Sequence, residues 1–198
     1  MDNLVAENPI ADKVFELIEY TNQSIFLTGK AGTGKTTLLK RIKKESSKKM
    51  AIVAPTGVAA MNAKGTTINS FFQLPPGSFF PGDIGLQNLQ EGFVSIRSVV
   101  NDLSYGNDKR KLFNELELLV IDEVSMVRCD VMDMIDVLLQ AVRKNSSPFG
   151  GLQLLLIGDL YQLPPVTKRE DWAVLSRAYP SPYFFDSQVV RQSPLLQI

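Results

Sequence analysis

Apolar residues follow two rhythms along this chain, short unbroken runs and positions spaced three and four apart. Ser24–Leu27, Met50–Ala54, Leu118–Ile121 and Leu152–Ile157 are runs of strand length, and each predicts a buried strand. Between them the spacing turns helical. Asn8-Pro9 is a helix start, with Asn as cap and Pro in the first turn, and Ile10, Val14, Leu17 and Ile18 share one face up to Tyr20. Leu38, Leu39 and Ile42 mark a second helix ending near Lys43–Ser47. Asp130 reads as the cap of a third, whose apolar face is Val131, Met134, Ile135, Leu138, Leu139 and Val142. Shorter helices are expected through Ala59, Ala60 and Met61, and from Ile68 to Phe72 after an opening Gly65-Thr66-Thr67. Lys111–Leu116 leads into the third strand, and Pro182–Ser187 and Leu195–Ile198 look like further strands just beginning. Strands alternating with helices predict a mostly parallel sheet covered on both faces.

The rhythm fails once. From Leu74 to Gly106 the chain carries Pro75, Pro76, Gly77, Pro81, Gly82, Gly85 and Gly92 with weak periodicity. A structureless loop of that length is uncommon inside a compact domain. It reads as a small inserted subdomain or functional loop, dividing the chain into residues 1–73, 74–106 and 107–198.

Chemistry enters directly after the first strand, where Gly29 to Thr36 spells G-x-x-x-x-G-K-T. Strand, glycine loop and helix in that order are what a phosphate-binding loop requires. Its glycines let successive N–H groups turn inward around an anion, and the following helix directs its positive end at the same point. Gly29, Ala31, Gly32, Thr33, Gly34, Lys35, Thr36 and Thr37 are therefore the expected nucleotide-binding residues. Lys35 would reach the β/γ-phosphates and the Thr36 hydroxyl would ligate Mg²⁺.

Metal-assisted phosphoryl transfer also needs an acid for Mg²⁺ and a base for water. Asp122-Glu123 ends the run LLVI, and in a parallel sheet that end shares an edge with the phosphate loop. Asp122 is expected to hold Mg²⁺, through water, and Glu123 to activate the attacking water. Two acids argue against a small-molecule kinase, which has less need of a base for water. Gln162 follows the next strand in GDLYQLPP. A neutral amide there could hydrogen-bond the γ-phosphate and report its loss, on a loop stiffened by prolines; an ordinary turn is the alternative.

Composition adds mainly exclusions. In 198 residues, 44% hydrophobic and 21% charged, one globular domain is the expectation. Lys plus Arg equals Asp plus Glu at 21 each, so a nucleic-acid partner would have to use a local patch. Lys40, Arg41, Lys43, Lys44, Lys48 and Lys49 form one candidate, but cations near a helix C-terminus are also stabilising on their own account. The absence of histidine excludes His-based catalysis and most zinc sites. The single cysteine, Cys129, cannot form an intramolecular disulfide and fits a reducing compartment. No apolar run approaches a membrane span and no signal peptide is evident, so the default expectation is the cytoplasm and no membrane partner.

Taken together, GKAGTGKT, APTGVAA, GTTINSFF, VIDEVSM and LIGDLYQLPPV resemble the successive motifs of superfamily-one helicases, in the expected order from Phe26 to Val166. DEVSM with GDLYQLPPV resembles the petite-integration-frequency (PIF-type) family of 5′-to-3′ DNA helicases, related to RecD. The resemblance implies a RecA-like P-loop NTPase domain, the first motor domain of an ATP-dependent DNA helicase working as a monomer on single-stranded, and on forked or structured, DNA. It implies ATP and Mg²⁺ as cofactors, Lys35, Glu123 and Gln162 as catalytic residues, and Thr36 and Asp122 at the metal. It also assigns Pro55, Thr56, Gly57, Thr66, Asn69, Ser70 and Phe72 to the DNA track. Hydroxyls, amides and helix N-termini suit backbone phosphates. Phe71 and Phe72 could stack bases or pack into the core. The segment 74–106 falls where relatives carry a strand-splitting insertion, so deleting Phe79–Gly92 should abolish unwinding and spare DNA-stimulated hydrolysis. Asn69 stands where relatives often have His. No adenine-reading Gln is clear upstream of the loop, where Asn8 and Asp12 are the nearby polar candidates. Relatives continue into a second RecA-like domain with an arginine finger; ending at Ile198, these residues alone should hydrolyse ATP poorly and not unwind DNA. The competing readings are a remodelling ATPase acting on protein, or a nucleotide- or DNA-binding module without turnover.

Overall fold

The computed structural model describes residues 8–82, 92–102, 104–193 and 195–198. Its frame is a six-stranded sheet in which every described pairing is parallel, in the order β3 (Thr66–Thr67), β2 (Met50–Ala54), β6 (Leu118–Ile121), β7 (Gln153–Gly158), β1 (Ile25–Thr28), β8 (Leu196–Gln197). The chain enters through α1 (Pro9–Tyr20), where Asn8 Oδ1 accepts from the amides of Ile10 and Ala11, and then β1 (Ile25–Thr28). There follow α2 (Lys35–Glu45), β2 (Met50–Ala54), α3 (Gly57–Asn62), the two-residue β3 (Thr66–Thr67) and α4 (Ile68–Phe72). Then come β4 (Ser78–Phe80), β5 (Phe93–Ser95), α5 (Ile96–Asp102), α6 (Asn107–Glu115), β6 (Leu118–Ile121) and α7 (Cys129–Arg143). β7 (Gln153–Gly158), α8 (Arg169–Leu175), α9 (Gln188–Gln192) and β8 (Leu196–Gln197) complete it.

Period-two alternation divides the strands between two layers of helix. Ile25, Leu27, Leu118, Val120, Leu155 and Ile157 pack with Val14 and Ile18 of α1 and Leu38, Leu39 and Ile42 of α2. Phe26, Leu119, Ile121, Leu154 and Leu156 face the other way, onto Phe72, Phe113, Met134, Ile135 and Leu138 from α4, α6 and α7. Both faces are buried, so the strands read as continuous apolar runs.

Several expectations need correction. Thr66 and Thr67 do not simply open a helix: they pair with Val53 and Ala54 as an edge strand, and Thr67 also caps α4 by accepting from Ser70 N. Gly65 before them is required because a Cβ there would meet the Ile52 carbonyl oxygen at 2.3 Å. Asp130 is not the cap of α7. The helix starts at Cys129 with Arg128 as cap residue, and Asp130 turns sideways, fully buried, to accept from Phe79 N at 2.8 Å and Arg128 Nε at 2.8 Å. Pro182–Ser187 is no strand: Phe184–Asp186 is one 3₁₀ turn, and Ser187 caps α9 by accepting from Val190 N. Leu196–Gln197 does add a strand, parallel to β1.

The expected insertion is only partly described, and residues 83–91 of it lie outside the described residues. What is described has no core of its own. β4 and β5 pair in parallel, and Leu74, Phe79, Ile96, Val99 and Tyr105 join the cluster that covers the sheet. A deletion of Phe79–Gly92 would remove Phe79, which is 2% exposed, and so would test packing as much as strand separation.

Candidate nucleotide and nucleic-acid site

Parallel strands place their C-terminal ends along one edge, and β1, β7, β6 and β2 all end there in adjacent register. The chain moves from β1 to one side, through β2, and returns past β1 to β8, so the order reverses beside β1. Ligands bind in the crevice at such a reversal. The phosphate loop occupies this position. Gly32 and Gly34 have φ of 81° and 92°, a left-handed backbone that side chains resist. Gly29 is needed for a different reason, since a Cβ would meet Thr33 Oγ1 at 2.9 Å. Thr33 Oγ1 in turn donates to the Lys30 carbonyl at 2.9 Å and pins the loop. Ala31, Gly32, Thr33, Gly34, Thr36 and Thr37 are exposed, and α2 begins at Lys35. Lys35 Nζ donates to the carbonyls of Gly29 and, at 2.9 Å, Lys30, curling across the mouth of the loop.

Asp122 continues the β6 ladder, its amide donating to the Val53 carbonyl at 2.9 Å. Its carboxylate accepts from Glu123 N at 3.0 Å. Glu123 itself sits at φ 53°, left-handed without being glycine, a strained geometry of the kind that clusters at functional sites. Burial pushes the Asp122 carboxyl above its ordinary range, and the Glu123 amide and nearby Lys35 only partly offset that. Glu123 is raised by burial first and by the Asp122 charge second, again against Lys35. Lys35, Asp122, Glu123 and, through its charge on Glu123, Asp159 therefore share one electrostatic neighbourhood.

Gln162 joins them through Asp159, which is 5% exposed. Asp159 accepts from Tyr161 N at 3.0 Å, Gln162 Nε2 at 3.0 Å and, through its carbonyl, Gln162 N at 3.0 Å. Because β7 lies between β1 and β6, this loop stands between the phosphate loop and the two acids. Sequence reasoning gave Asp159 no role; its position one residue past the strand, three before Gln162, was the available signal. The same loop leaves Tyr161, Leu163 and Val166 more than half exposed.

A cavity of 250 Å³ adjoins the phosphate loop and is lined by Asn8, Ile10 and Ala11 as well as Gly29, Thr33 and Lys35. Asn8 thus lies beside the phosphate loop, with its Oδ1 already committed to the α1 cap. Asp12 does not line it and pairs with Arg41 instead.

The residues assigned to the DNA track divide. Pro55 and Asn69 line one 170 Å³ groove with Gly77, Met126 and Arg128. Gly57 and Ser70 are exposed, and Thr66 is half-buried in β3. Thr56 is half-buried as the cap of α3, accepting from Ala59 N at 3.2 Å. Phe72 does not belong with them. It is wholly buried, stacked on Phe113 at 5.6 Å, and its carbonyl accepts from Tyr105 Oη. Phe71 is buried as well, so both rings are core residues.

The basic cluster also thins. Arg41 pairs with Asp12 and Glu45, Lys49 with Glu115, and Lys48 Nζ donates to Thr21 O and Gln153 Oε1, each at 2.7 Å.

A glycine-cradled helix N-terminus, two acids and an amide at the reversal of a parallel sheet define a RecA-like P-loop NTPase domain. The comparisons narrow the class. The chain belongs to the PIF1-like helicase family, whose profile matches residues 6–179. The ATP-dependent DNA helicase RRM3 of Saccharomyces cerevisiae is 31% identical over 191 residues, covering 91% of this chain and 24% of that protein. Human ATP-dependent DNA helicase PIF1 is 40% identical over 147 residues, 74% of this chain and 20% of that protein. Among solved structures, Pif1 helicase from Bacteroides in complex with ADP-AlF3 and ssDNA superposes with a TM-score of 0.84 at 38% identity, over 100% of this chain and 42% of that one. This chain thus spans a quarter or less of these curated relatives and under half of the solved one. Among the described residues no helix is long and apolar enough to cross a membrane.

Proposed function

We propose that these residues are the first motor domain of an ATP-dependent DNA helicase that moves 5′-to-3′ along single-stranded DNA. The observation that carries the reading is the convergence of Lys35, Asp122, Glu123 and Gln162 on one sheet edge, beside the groove that holds Pro55 and Asn69. The loop amides and Lys35 grip the phosphates, which requires Lys35 to leave the Gly29 and Lys30 carbonyls. Glu123, unencumbered by any side-chain partner among the described residues, takes the proton of the attacking water. Gln162, held by Asp159, presents its amide to the γ-phosphate and loses a partner on hydrolysis.

Thr36 and Asp122 fit Mg²⁺. They supply a hydroxyl and a carboxylate, hard oxygen donors of which only one Asp122 oxygen is engaged. Among the described residues no cluster of three or more His, Cys, Asp or Glu could hold a metal alone, so phosphate oxygens would have to complete the shell. When bound, the ion would neutralise charge developing on the phosphates. The segment 74–106, fastened to the groove through Gly77 and Arg128, is the proposed strand-separating element, and the helicase is proposed to act as a monomer.

Lys35→Ala in the protein that carries these residues tests the reading. DNA-stimulated ATP hydrolysis should fall by at least ~10²-fold, the scale of losing one preorganised donor to a transition-state charge. Hydrolysis that survives the change would overturn the assignment.

A further inference from the structure

Helix α2 sorts its charges by side. Toward α1, Arg41 is neutralised by Asp12 and Glu45. Toward α3, Lys40, Lys43 and Lys44 surround a 240 Å³ groove with Lys64, and none of the four is ion-paired among the described residues. Lys43 Nζ donates to the Lys64 carbonyl at 2.9 Å, which closes one wall without cancelling charge. The floor is apolar, formed by buried Leu39 and Ala63, and the neighbouring α3 exposes Val58 (71%) and Met61 (78%). Four uncompensated positive charges around an apolar concavity stand out in a chain of net charge zero. Helix-end compensation accounts for Lys43 and Lys44, which lie in the last turn of α2. Lys64 likewise follows Ala63, the C-cap of α3, but helix ends account neither for Lys40 nor for the apolar floor.

We propose that this groove docks an acidic peptide segment of a partner protein, one apolar side chain seated on Leu39 and Ala63 and its flanking carboxylates on the lysines. A nucleic-acid backbone is the poorer fit. Phosphates gain from cations along a track and have no use for an apolar floor, whereas a peptide uses a buried anchor with a charged rim. The groove shares no lining residue with the Pro55–Asn69 groove, and it reaches the nucleotide side of α2 only at Thr36.

The test uses a fluorescein-labelled nine-residue peptide of aspartates flanking a central leucine, with a leucine-to-serine control, read by anisotropy at about 100 mM salt. The leucine peptide should bind, and should weaken at least tenfold with K40E/K44E, with K64E and in the serine control. ATP-analogue affinity should stay within twofold, since these lysines lie outside the phosphate loop. Equal binding of both peptides, or binding indifferent to the charge reversals, would overturn the proposal. So would an oligodeoxythymidine probe that loses the same factor in K40E/K44E while the leucine peptide fails to bind, which would make the groove a DNA surface.

Discussion

Two sets of carboxylates lie on this domain, a half-buried pair at the sheet edge and a buried row along α7, and they are used in opposite ways. At the sheet edge, Asp122 accepts one hydrogen bond and Glu123 none among the described residues. Along α7, Asp130, Asp133 and Asp136 are all committed. Asp130 holds Phe79 N and Arg128, Asp133 holds the amides of Gln188 at 3.1 Å and Val189 at 3.0 Å, and Asp136 holds Phe149 N at 2.6 Å and Gln140 Nε2 at 2.8 Å. Burial raises Asp133 and Asp136 just as it raises Asp122 and Glu123. A raised carboxyl therefore does not mark chemistry here. What separates the sets is free valence: the α7 row fastens three chain segments to one helix, and the edge pair keeps most of its lone pairs unengaged among the described residues.

The sharpest way to break this contrast is to neutralise one member of each set. Glu123→Gln should slow ATP hydrolysis by about 10²–10⁴-fold, the usual worth of a general base. It should also raise the melting midpoint, because it removes a half-buried charge that no side chain pairs among the described residues; a lower midpoint would place Glu123 with the fasteners. Asp133→Ala should do the reverse. The buried Val189 amide and the part-buried Gln188 amide lose their acceptor, the buried one at about 1–3 kcal/mol, so a loss of about 3 kcal/mol is expected in denaturant unfolding, with nucleotide affinity intact.

Acidification sharpens the same comparison. Glu123 must be ionised to take a proton, and its folded pKa lies above the ordinary 4.5, so hydrolysis should begin to fall while still above that range. Stability should not follow. For Asp122, Glu123, Asp133 and Asp136 the folded state binds protons more readily than the unfolded, so protonation favours the fold. Glu19 carries the opposite shift, lowered by hydrogen bonds from Ser46 and Ser47, and its contribution is present above the ordinary glutamate range and lost as pH drops through its folded value. Parallel pH–rate and thermal-melt series check the order of events; simultaneous loss would contradict it. The smallest effect is expected from Asp12→Asn. It breaks an exposed pair with Arg41, and neither melting nor nucleotide affinity should change measurably. A drop in nucleotide affinity would return Asp12 to the binding site.

Legibility followed locality. The phosphate loop could be read because its demands are met within a few residues: left-handed glycines at 32 and 34, a strand before them and a helix after. Asp122-Glu123 and Gln162 could be placed because parallel strands bring their C-termini to one edge whatever their order. Phe72 and Asp130 could not. Whether a phenylalanine after Asn-Ser meets a base or Phe113 depends on a helix some forty residues away in the chain. Asp130 looks like a helix cap until β4 is known to lie beside it. The cation cluster could not be resolved for the same reason, since Asp12 and Glu115, which pair with Arg41 and Lys49, and Gln153, which accepts from Lys48, are remote in sequence.

The amino-acid order alone determined the alternation of strands and helices, the glycine loop between β1 and α2 and the acids at the end of β6, because each rests on backbone geometry and short-range spacing. Tertiary structure decided which polar groups remain free, which lysines stay uncompensated and which aromatic rings vanish into the core. Those properties depend on what packs opposite a side chain, and that is set by long-range contacts between segments the sequence keeps apart.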